Sequence, residues 1–304
     1  MTGDGPHPTP VSIRLGDRTV HRLGLGTNRV TPSAEGRAIL HRAIDLGVNF
    51  IDTADVYQSG ASEETIGEVV PPSMNDVLVA TKGGMIRTAE GLGTDARPEH
   101  LREAFEHSLR RLRRDRIDLY QLHRVDPRTP IEESLGVLRE FQREGRIRHV
   151  GVSNVTLPEL ERARKVVTVV SVQNRYNLLE REGEEVLRYC ETQGIAFIPW
   201  FPLQRGRLAN EPTLNAIAGR RGVTPQQVAL AWLLQRSPAI LPIPGTLSEK
   251  HLSENLAAPG ITLGAEEIQQ LDGLSTPRAE PSSKFGNPAP GPPSKAGASQ
   301  LQPP

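Results

Sequence analysis

The chain repeats one unit along most of its length: a short apolar run, a polar loop and then an amphipathic helix. The apolar runs have the length of buried strands, and there are eight of them. They lie at residues 23–27, 49–54, 77–82, 117–123, 149–154, 170–177, 195–200 and 239–245. Eight strand–helix units in about 250 residues favour a closed (β/α)₈ TIM barrel over an open doubly wound sheet, which usually has fewer strands.

The stretches between the strands have the pattern of helices. Their apolar residues recur at three- and four-residue spacing, as on the buried face of a helix. Three of them end in a glycine that suits a left-handed C-cap, at Gly47, Gly145 and Gly194. The clearest helical stretches cover residues 33–47, 97–113, 131–145 and 180–194.

The two ends of the chain differ from the repeating part. Residues 11–27 alternate apolar and polar side chains around Gly16-Asp17, which predicts an N-terminal β-hairpin that caps the barrel. The last residues are rich in proline, glycine and serine, which predicts a disordered C-terminal tail. The predicted domains are a flexible N-terminus at 1–10, the barrel at 11–278 and the tail at 279–304.

Composition argues against several classes of partner. Lysine plus arginine (36) balance aspartate plus glutamate (36), so no overall charge favours nucleic acid or an anionic membrane. The single cysteine, Cys190, allows neither an intramolecular disulfide nor a multi-cysteine metal site. The sequence has no secretory signal pattern and no apolar run of about eighteen residues. We therefore expect a cytoplasmic protein with a small-molecule ligand.

Four polar side chains follow the second, third and fourth predicted strands. Asp52 and Tyr57 come at the end of the second strand, Lys82 ends the third and His123 ends the fourth. In a (β/α)₈ barrel the carboxyl ends of the strands form the active-site face. Each residue alone has a structural explanation, such as a turn or an exposed lysine, but together they predict a site.

The chemistry of these four residues suits proton donation. A tyrosine has an ordinary pKa of about 10, and an ammonium about 4 Å away attracts the phenolate by about 4 kcal/mol at an effective dielectric constant of about 20. Lys82 is therefore expected to lower the pKa of Tyr57, while Asp52 keeps Lys82 protonated. His123 would donate a hydrogen bond to a substrate oxygen. The set predicts a site that gives a proton to a carbonyl oxygen.

The later strand ends carry neutral groups that suit a nicotinamide dinucleotide. Ser153, Asn154 and Gln173 can hydrogen-bond an amide, and Trp200 can lie flat against a planar ring. The loops after the seventh and eighth strands offer backbone nitrogens where barrels commonly bind phosphate. A simpler explanation, that Ser153 and Asn154 only cap the following helix, stays open for either residue singly.

A metal site is an alternative interpretation of the same region. Asp52, Asp55, His123 and Asp126 have side chains that bind metal ions in barrel hydrolases. A second histidine is missing from the neighbouring strand ends, and Lys82 belongs to the same group of residues. These two observations disfavour a metal, and we predict none.

The motifs resemble those of the aldo-keto reductase family. The resemblance covers about residues 10–275 and rests on "NFIDTADVY", "VATK", "DLYQLHRVD", "GVSN", "VQNRYN", "PWFPLQRG" and "PIPGTLSEKHLSEN", in this order. It implies that Tyr57 is the general acid, that Asp52 and Lys82 tune it, and that His123 orients the carbonyl. The implied function is an NAD(P)H-dependent reduction of an aldehyde or ketone, or the reverse oxidation.

The resemblance also implies the cofactor site. Ser153, Asn154 and Gln173 would hold the carboxamide, and Trp200 would stack on the nicotinamide ring. The remaining implied contacts are Gly26, Thr27, Asp52, Phe201, Leu203, Gly245, Thr246 and His251, with Glu254 and Asn255 at the adenine.

Two departures from the family pattern bear on specificity. Gly245 and His251 stand where members with a firm NADP preference have lysine and arginine, although Lys250 or the backbone near Ser248 can contribute, and we expect NADP over NAD. Gln58 replaces the glycine that commonly follows the tyrosine, and it is expected to narrow the entrance. An alternative function is a redox-sensing partner that binds the cofactor with little turnover, as in the channel β-subunits that resemble this family.

Overall fold

The structure, a computed structural model, describes residues 12–274. The predicted N-terminal segment 1–10, the tail 279–304 and the domain boundaries at 11 and 278 lie outside the described residues. The strands are β1 (Ser12–Leu15), β2 (Arg18–His21), β3 (Leu25–Gly26), β4 (Phe50–Asp52), β5 (Leu78–Gly83), β6 (Met85–Thr88), β7 (Gly91–Thr94), β8 (Ile117–Leu122), β9 (Ile147–Ser153), β10 (Val169–Gln173) and β11 (Ala196–Phe197). Seven of them form one parallel sheet in the order β11-β10-β9-β8-β5-β4-β3.

The eighth predicted strand, 239–245, closes the curled sheet without forming a regular ladder. The backbone N–H of Leu241 donates to Phe197 O (2.8 Å), and the N–H of Gly24 donates to Pro242 O (2.9 Å). The segment therefore lies between β11 and β3, where the eighth strand of a barrel belongs. Pro242 has no N–H to donate, which is why the hydrogen bonding there is interrupted. The predicted (β/α)₈ barrel is confirmed, with its last strand irregular.

Helices surround this sheet on the outside. They are α1 (Ala34–Asp45), α2 (Ala61–Val69), α3 (Pro98–Leu112), α4 (Ile131–Arg143), α5 (Leu157–Val166), α6 (Glu184–Gln193), α7 (Pro212–Arg221), α8 (Pro225–Arg236), α9 (Glu249–Ala257) and α10 (Ala265–Asp272). The three glycines predicted to end helices have left-handed φ angles of 86°, 74° and 64°. None of the helices between residues 12 and 274 has the length and apolar character needed to cross a bilayer.

The predicted N-terminal hairpin is present, and it closes the amino end of the barrel. β1 and β2 pair antiparallel around Gly16-Asp17. The Leu15 and Val20 side chains are buried. The turn is held to β9 by the Asp17 carboxylate, which lies 2.6 Å from both Arg148 Nη2 and His149 Nε2. Leu15 and Val20 belong to one apolar cluster with Phe50, Leu78, Ala80, Leu119, Val170, Ala196, Ile198, Leu241 and Ile243.

A second hairpin was not predicted. β6 and β7 pair antiparallel directly after β5, before α3 begins. Leu92 on this hairpin is 46% exposed, which is unusual for a leucine in a described strand. The hairpin stands beside the carboxyl ends of the strands, where the predicted site lies.

We predict that Leu15 contributes strongly to stability because it fills the amino end of the barrel. Leu15→Ala should lower the free energy of unfolding by about 2–5 kcal/mol, as expected for a leucine deletion in a packed core. Leu46→Ala is the matched control, because Leu46 is 38% exposed and loses the same atoms. Chemical denaturation of the two variants measures the difference. Equal losses would show that the hairpin does not seal the barrel.

Candidate active site

The structure brings the four predicted residues to one end of the barrel. Asp52 is the last residue of β4, Tyr57 begins a short 3₁₀ turn after it, Lys82 lies near the end of β5 and His123 follows β8. Asp52 is in register with Ala80, so Lys82 lies two residues further along β5 and on the same face. The neighbouring parallel strands thus position these side chains together.

Lys82 and Asp52 form a buried ion pair. Lys82 Nζ lies 2.7 Å from Asp52 Oδ2, and their side chains are 0% and 1% exposed. The ammonium also donates to the Thr53 carbonyl oxygen at 2.7 Å. Burial favours the neutral amine, but the Asp52 carboxylate and the Tyr57 oxygen outweigh it, so the pKa of Lys82 is raised. Lys82 is therefore a stable cation beneath the phenol.

Tyr57 lies directly over this cation. Lys82 Nζ is 3.4 Å from Tyr57 Oη and 4.9 Å from the centre of the Tyr57 ring. Lys82 was expected to lower the pKa of Tyr57, and its charge does act in that direction. The expectation is wrong for the total shift, because the pKa of Tyr57 is raised. Burial raises the pKa of Tyr57, and the charge of Asp52 raises it further. These two effects together exceed the lowering of the pKa by Lys82. The phenol is consequently protonated at neutral pH.

His123 stands beside the phenol in its neutral form. The two rings meet edge to face, with 6.0 Å between their centroids and an interplanar angle of 82°. Burial, then the charges of Lys82 and Arg124, hold the pKa of His123 well below its ordinary value. A neutral imidazole has one N–H donor, which suits a hydrogen bond to a substrate oxygen.

Two glutamines hold the second oxygen of Asp52. Gln173 Nε2 donates to Asp52 Oδ1 at 2.8 Å, and Gln121 Nε2 donates at 3.4 Å. The contact of Gln173 was not anticipated, because the residue was assigned to the carboxamide alone. Gln121 was missed, although its place two residues before His123 on one strand puts both on the same face. Both amides help to fix the orientation of the carboxylate.

The neutral groups after β9 bind one another. Ser153 Oγ donates to the Gln173 carbonyl oxygen at 2.7 Å, and Asn154 Nδ2 donates to the His123 carbonyl oxygen at 3.0 Å. Trp200 Nε1 donates to Asn154 Oδ1 at 3.1 Å. These contacts tie the ends of neighbouring strands together and leave Trp200 partly exposed. The tryptophan follows an irregular segment, because β11 ends before the predicted limit at residue 200.

A cavity of about 640 Å³ opens above these residues. It is lined by every residue assigned to the site from the sequence except Lys82, which is completely buried behind Tyr57. Lys82 was predicted to belong to the site, and the structure places it below the surface of the cavity. The predicted residues that line the cavity are Gly26, Thr27, Asp52, Tyr57, His123, Ser153, Asn154, Gln173, Trp200, Phe201, Leu203, Gly245, Thr246, His251, Glu254 and Asn255.

Two glycines bring backbones together at the wall of this cavity. A Cβ atom on Gly26 would lie 2.6 Å from Ile243 O, and one on Gly245 would lie 2.7 Å from Gly26 O. Side chains at these positions would push β3 away from the irregular eighth segment. The glycines therefore allow β3 and the segment 239–245 to approach closely at this wall.

One end of the cavity has the features of an anion site. The N-terminus of α9 lies there, capped by Ser248 Oγ, which accepts from the N–H of His251. Helix N-termini favour anions. Lys250 is 81% exposed and lies 3.8 Å from Glu254, so its ammonium is accessible to a ligand. The donor set fits a phosphate of a dinucleotide.

Gln58 adopts a conformation that glycine favours. Its φ angle is 49°, and that of Ser59 is 57°, so two consecutive non-glycine residues are left-handed. Gln58 Nε2 donates to the Asn28 carbonyl oxygen at 2.9 Å. The side chain thus links the loop after β4 to the loop after β3. Its predicted effect on the entrance stays a prediction.

The alternative metal site finds no support among residues 12–274. No group of three or more histidine, cysteine, aspartate or glutamate side chains there is arranged to hold a metal ion. Asp126 is bound by Arg128, with 3.0 Å between Oδ2 and Nη2. Burial and the charge of Glu63 raise the pKa of Asp55 to about 8, so this carboxyl is neutral at pH 7. Neither group is free to act as a charged ligand.

Comparisons with known proteins found oxidoreductases among the relatives of this chain. An uncharacterized oxidoreductase of Schizosaccharomyces pombe is 43% identical over 272 residues, which are 86% of this chain and 89% of that protein. Pyridoxine 4-dehydrogenase of Escherichia coli is 39% identical over 280 residues, covering 87% of this chain and 98% of the relative.

A solved structure has the same fold. The aldo/keto reductase of Klebsiella pneumoniae in complex with NADP and acetate superposes with a TM-score of 0.79 at 30% identity, covering 90% of this chain and 98% of that one. The model of the aldo/keto reductase family matches residues 22–276, which is most of the sequence. The chain belongs to the aldo/keto reductase family.

Proposed function

We propose that this protein is an NADPH-dependent oxidoreductase that reduces an aldehyde or ketone to an alcohol, or catalyses the reverse reaction, with Tyr57 as the general acid. The observation that carries the proposal is the contact between the Tyr57 phenol and the buried Lys82–Asp52 pair, at the floor of a large cavity. A protonated phenol over a fixed cation suits the transfer of a proton to an oxygen that becomes negative.

The residues of this chain have separate tasks in the proposed reaction. Tyr57 donates its proton to the carbonyl oxygen, and Lys82 stabilises the phenolate that remains. The neutral His123 donates a hydrogen bond to the same oxygen and orients the carbonyl. Asp52 keeps Lys82 charged throughout. The cavity residues would hold a reduced nicotinamide, which when bound would supply the hydride for the carbonyl carbon.

Several observations support a dinucleotide as the cofactor. The cavity has the volume for an extended ligand. The α9 N-terminus and Lys250 provide positive potential for a 2′-phosphate. The structural relative from Klebsiella pneumoniae was crystallised with NADP. Ser153, Asn154 and Gln173 would meet the carboxamide, and Trp200 would pack against the ring.

The first experiment removes the proton donor. Tyr57→Phe should lower kcat/KM for carbonyl reduction by about 10²–10⁴-fold, because general acid catalysis by a side chain contributes about that much. The assay follows NADPH consumption with a panel of carbonyls that includes pyridoxal. NADPH binding, measured by fluorescence titration, should be unchanged.

Tyr189→Phe is the matched control. Tyr189 lies on α6, where its hydroxyl accepts from Arg164, and it does not line the cavity. This variant should keep wild-type turnover. If Tyr57→Phe and Tyr189→Phe consume NADPH equally, the assignment of the acid is wrong.

The second experiment tests cofactor choice. Lys250→Met should weaken NADPH binding by about two- to fivefold and leave NADH binding unchanged, because exposed ion pairs contribute modestly. Lys165→Met, which removes an exposed lysine from α5, is the control. Titration of each variant with both cofactors gives the ratio of the dissociation constants. A ratio that Lys250→Met leaves unchanged would exclude Lys250 from 2′-phosphate recognition.

A further inference from the structure

Arg124 lines the active-site cavity and has no counter-ion among the described residues. It follows His123 directly and lines the cavity with it. Its side chain is half-buried, and its Nε atom is enclosed without a hydrogen-bond partner. It forms no ion pair with any residue between 12 and 274. Burial lowers the pKa of its guanidinium, which shows that the charge is held at a cost.

The carboxylates of Asp126, Asp95 and Asp52 are bound by other cations. Asp126, two residues away, accepts two hydrogen bonds from the Arg128 guanidinium at 3.0 Å each. Asp95 is held in the same way by Arg97, at 2.9 and 2.7 Å. Asp52, at the centre of the site, is neutralised by a buried lysine. The positive charge of Arg124 is therefore available to a ligand.

The place of Arg124 in the barrel separates it from the proposed phosphate site. Arg124 follows β8, which pairs with β5. In the closed order of the barrel these two strands stand across from β11 and the segment 239–245, which leads into α9. An anion bound by Arg124 is consequently a different group from one bound at the α9 N-terminus.

Other residues that line the same cavity suit an organic substrate. Met85 and Leu92, on the hairpin that follows β5, line the same cavity. They supply an apolar wall, and Tyr57 and His123 supply the groups for the carbonyl. Because Arg124 and His123 are consecutive, their Cα atoms are about 3.8 Å apart. A guanidinium there can reach a group a few bonds away from the carbonyl carbon.

We infer that Arg124 is a specificity-determining residue that binds an anionic substituent, such as a carboxylate, on the carbonyl substrate. This inference rests on the proposed function, since it assigns the substrate class of the same site. A guanidinium matches a carboxylate with two parallel hydrogen bonds, which gives orientation as well as affinity. The apolar body of the substrate then packs on Met85 and Leu92.

A second arginine that lines the cavity is a weaker candidate. Arg29 follows β3 and is exposed. Solvent and salt screen the charge of an exposed guanidinium, so its attraction for a carboxylate is small. The half-buried position of Arg124 makes the same charge more effective.

The test compares two pairs of substrates that differ in charge. The acids 3- and 4-carboxybenzaldehyde are each compared with the corresponding methyl ester, and kcat/KM is measured with NADPH. The acid-to-ester ratio of kcat/KM should fall by about 10–100-fold in Arg124→Met, as expected for loss of a hydrogen bond between charged groups. Arg124→Lys, which keeps the charge, should retain part of the ratio.

Arg87→Met is the matched control. Arg87 is exposed on β6, next to the cavity rim but not among the residues that line the cavity, so its loss removes the same charge without a contact. The acid-to-ester ratio should stay within about twofold of wild type, since a remote exposed charge is screened. Each variant is judged by its acid-to-ester ratio of kcat/KM. A general effect of the Arg124 substitution on the fold or on His123 changes both values alike and so cancels from this ratio.

An unchanged ratio in Arg124→Met overturns the inference and leaves the proposed function intact. Failure of the wild-type protein to reduce any of the four aldehydes would count against the proposed function instead. In that event calorimetric binding of the product 4-(hydroxymethyl)benzoate to the NADP-bound protein decides the role of Arg124. Binding that weakens about tenfold or more in Arg124→Met supports the inference, and equal binding overturns it.

Discussion

The buried ion pair between Lys82 and Asp52 is the interaction on which the candidate site depends. Two opposite charges lie 2.7 Å apart with almost no access to solvent, and each has further hydrogen bonds. Removing one partner of such a pair typically costs about 3–5 kcal/mol, because the other charge stays buried. The pair is held by β4 and β5, which lie side by side in parallel register. The fold thus maintains a cation below Tyr57 that an isolated loop could not maintain.

The surroundings of Tyr57 determine whether its phenol keeps its proton. A low pKa for Tyr57 would have left a phenolate, which has no proton to give. The structure instead gives a phenol whose pKa is raised, with the Lys82 ammonium 3.4 Å from its oxygen. His123 is neutral for a related reason, because the same burial and the same cation disfavour its charged form. Burial therefore has the largest effect on the pKa of both groups, while the Lys82 cation opposes it at Tyr57 and adds to it at His123.

Much of the architecture could be predicted from the sequence. The spacing of apolar residues in strands and helices, and the glycines in turns, are determined by local structure. The hairpin around Gly16 and the convergence of Asp52, Tyr57, Lys82 and His123 were predicted in this way. Other features depend on neighbours distant in the chain. The direction of the Tyr57 pKa shift cannot be predicted without knowing how deeply the phenol is buried. The hydrogen bond from Gln173 to Asp52 cannot be predicted without knowing how close the two strand ends lie.

Local sequence also gave little warning of the features that shape the entrance. The short run from Met85 to Thr94 contains two glycines and two threonines and has no clear strand pattern, so its pairing as a hairpin depends on the barrel below it. The unpaired state of Arg124 becomes visible after Asp126 and Asp95 are seen to bind other arginines. The rim of the cavity therefore depends on contacts between segments distant in the chain, whereas Asp52, Lys82 and His123 lie at strand ends that the sequence pattern predicts.

The double variant Asp52→Asn/Lys82→Met tests the central claim most directly, because it removes the buried pair without leaving an unpaired charge. Thermal unfolding and NADPH titration establish that the variant folds and binds cofactor, with an affinity within about tenfold of wild type. Single-turnover reduction of a carbonyl by bound NADPH is then measured. The account predicts a rate at least about 100-fold below wild type. A rate within about tenfold of wild type would contradict it.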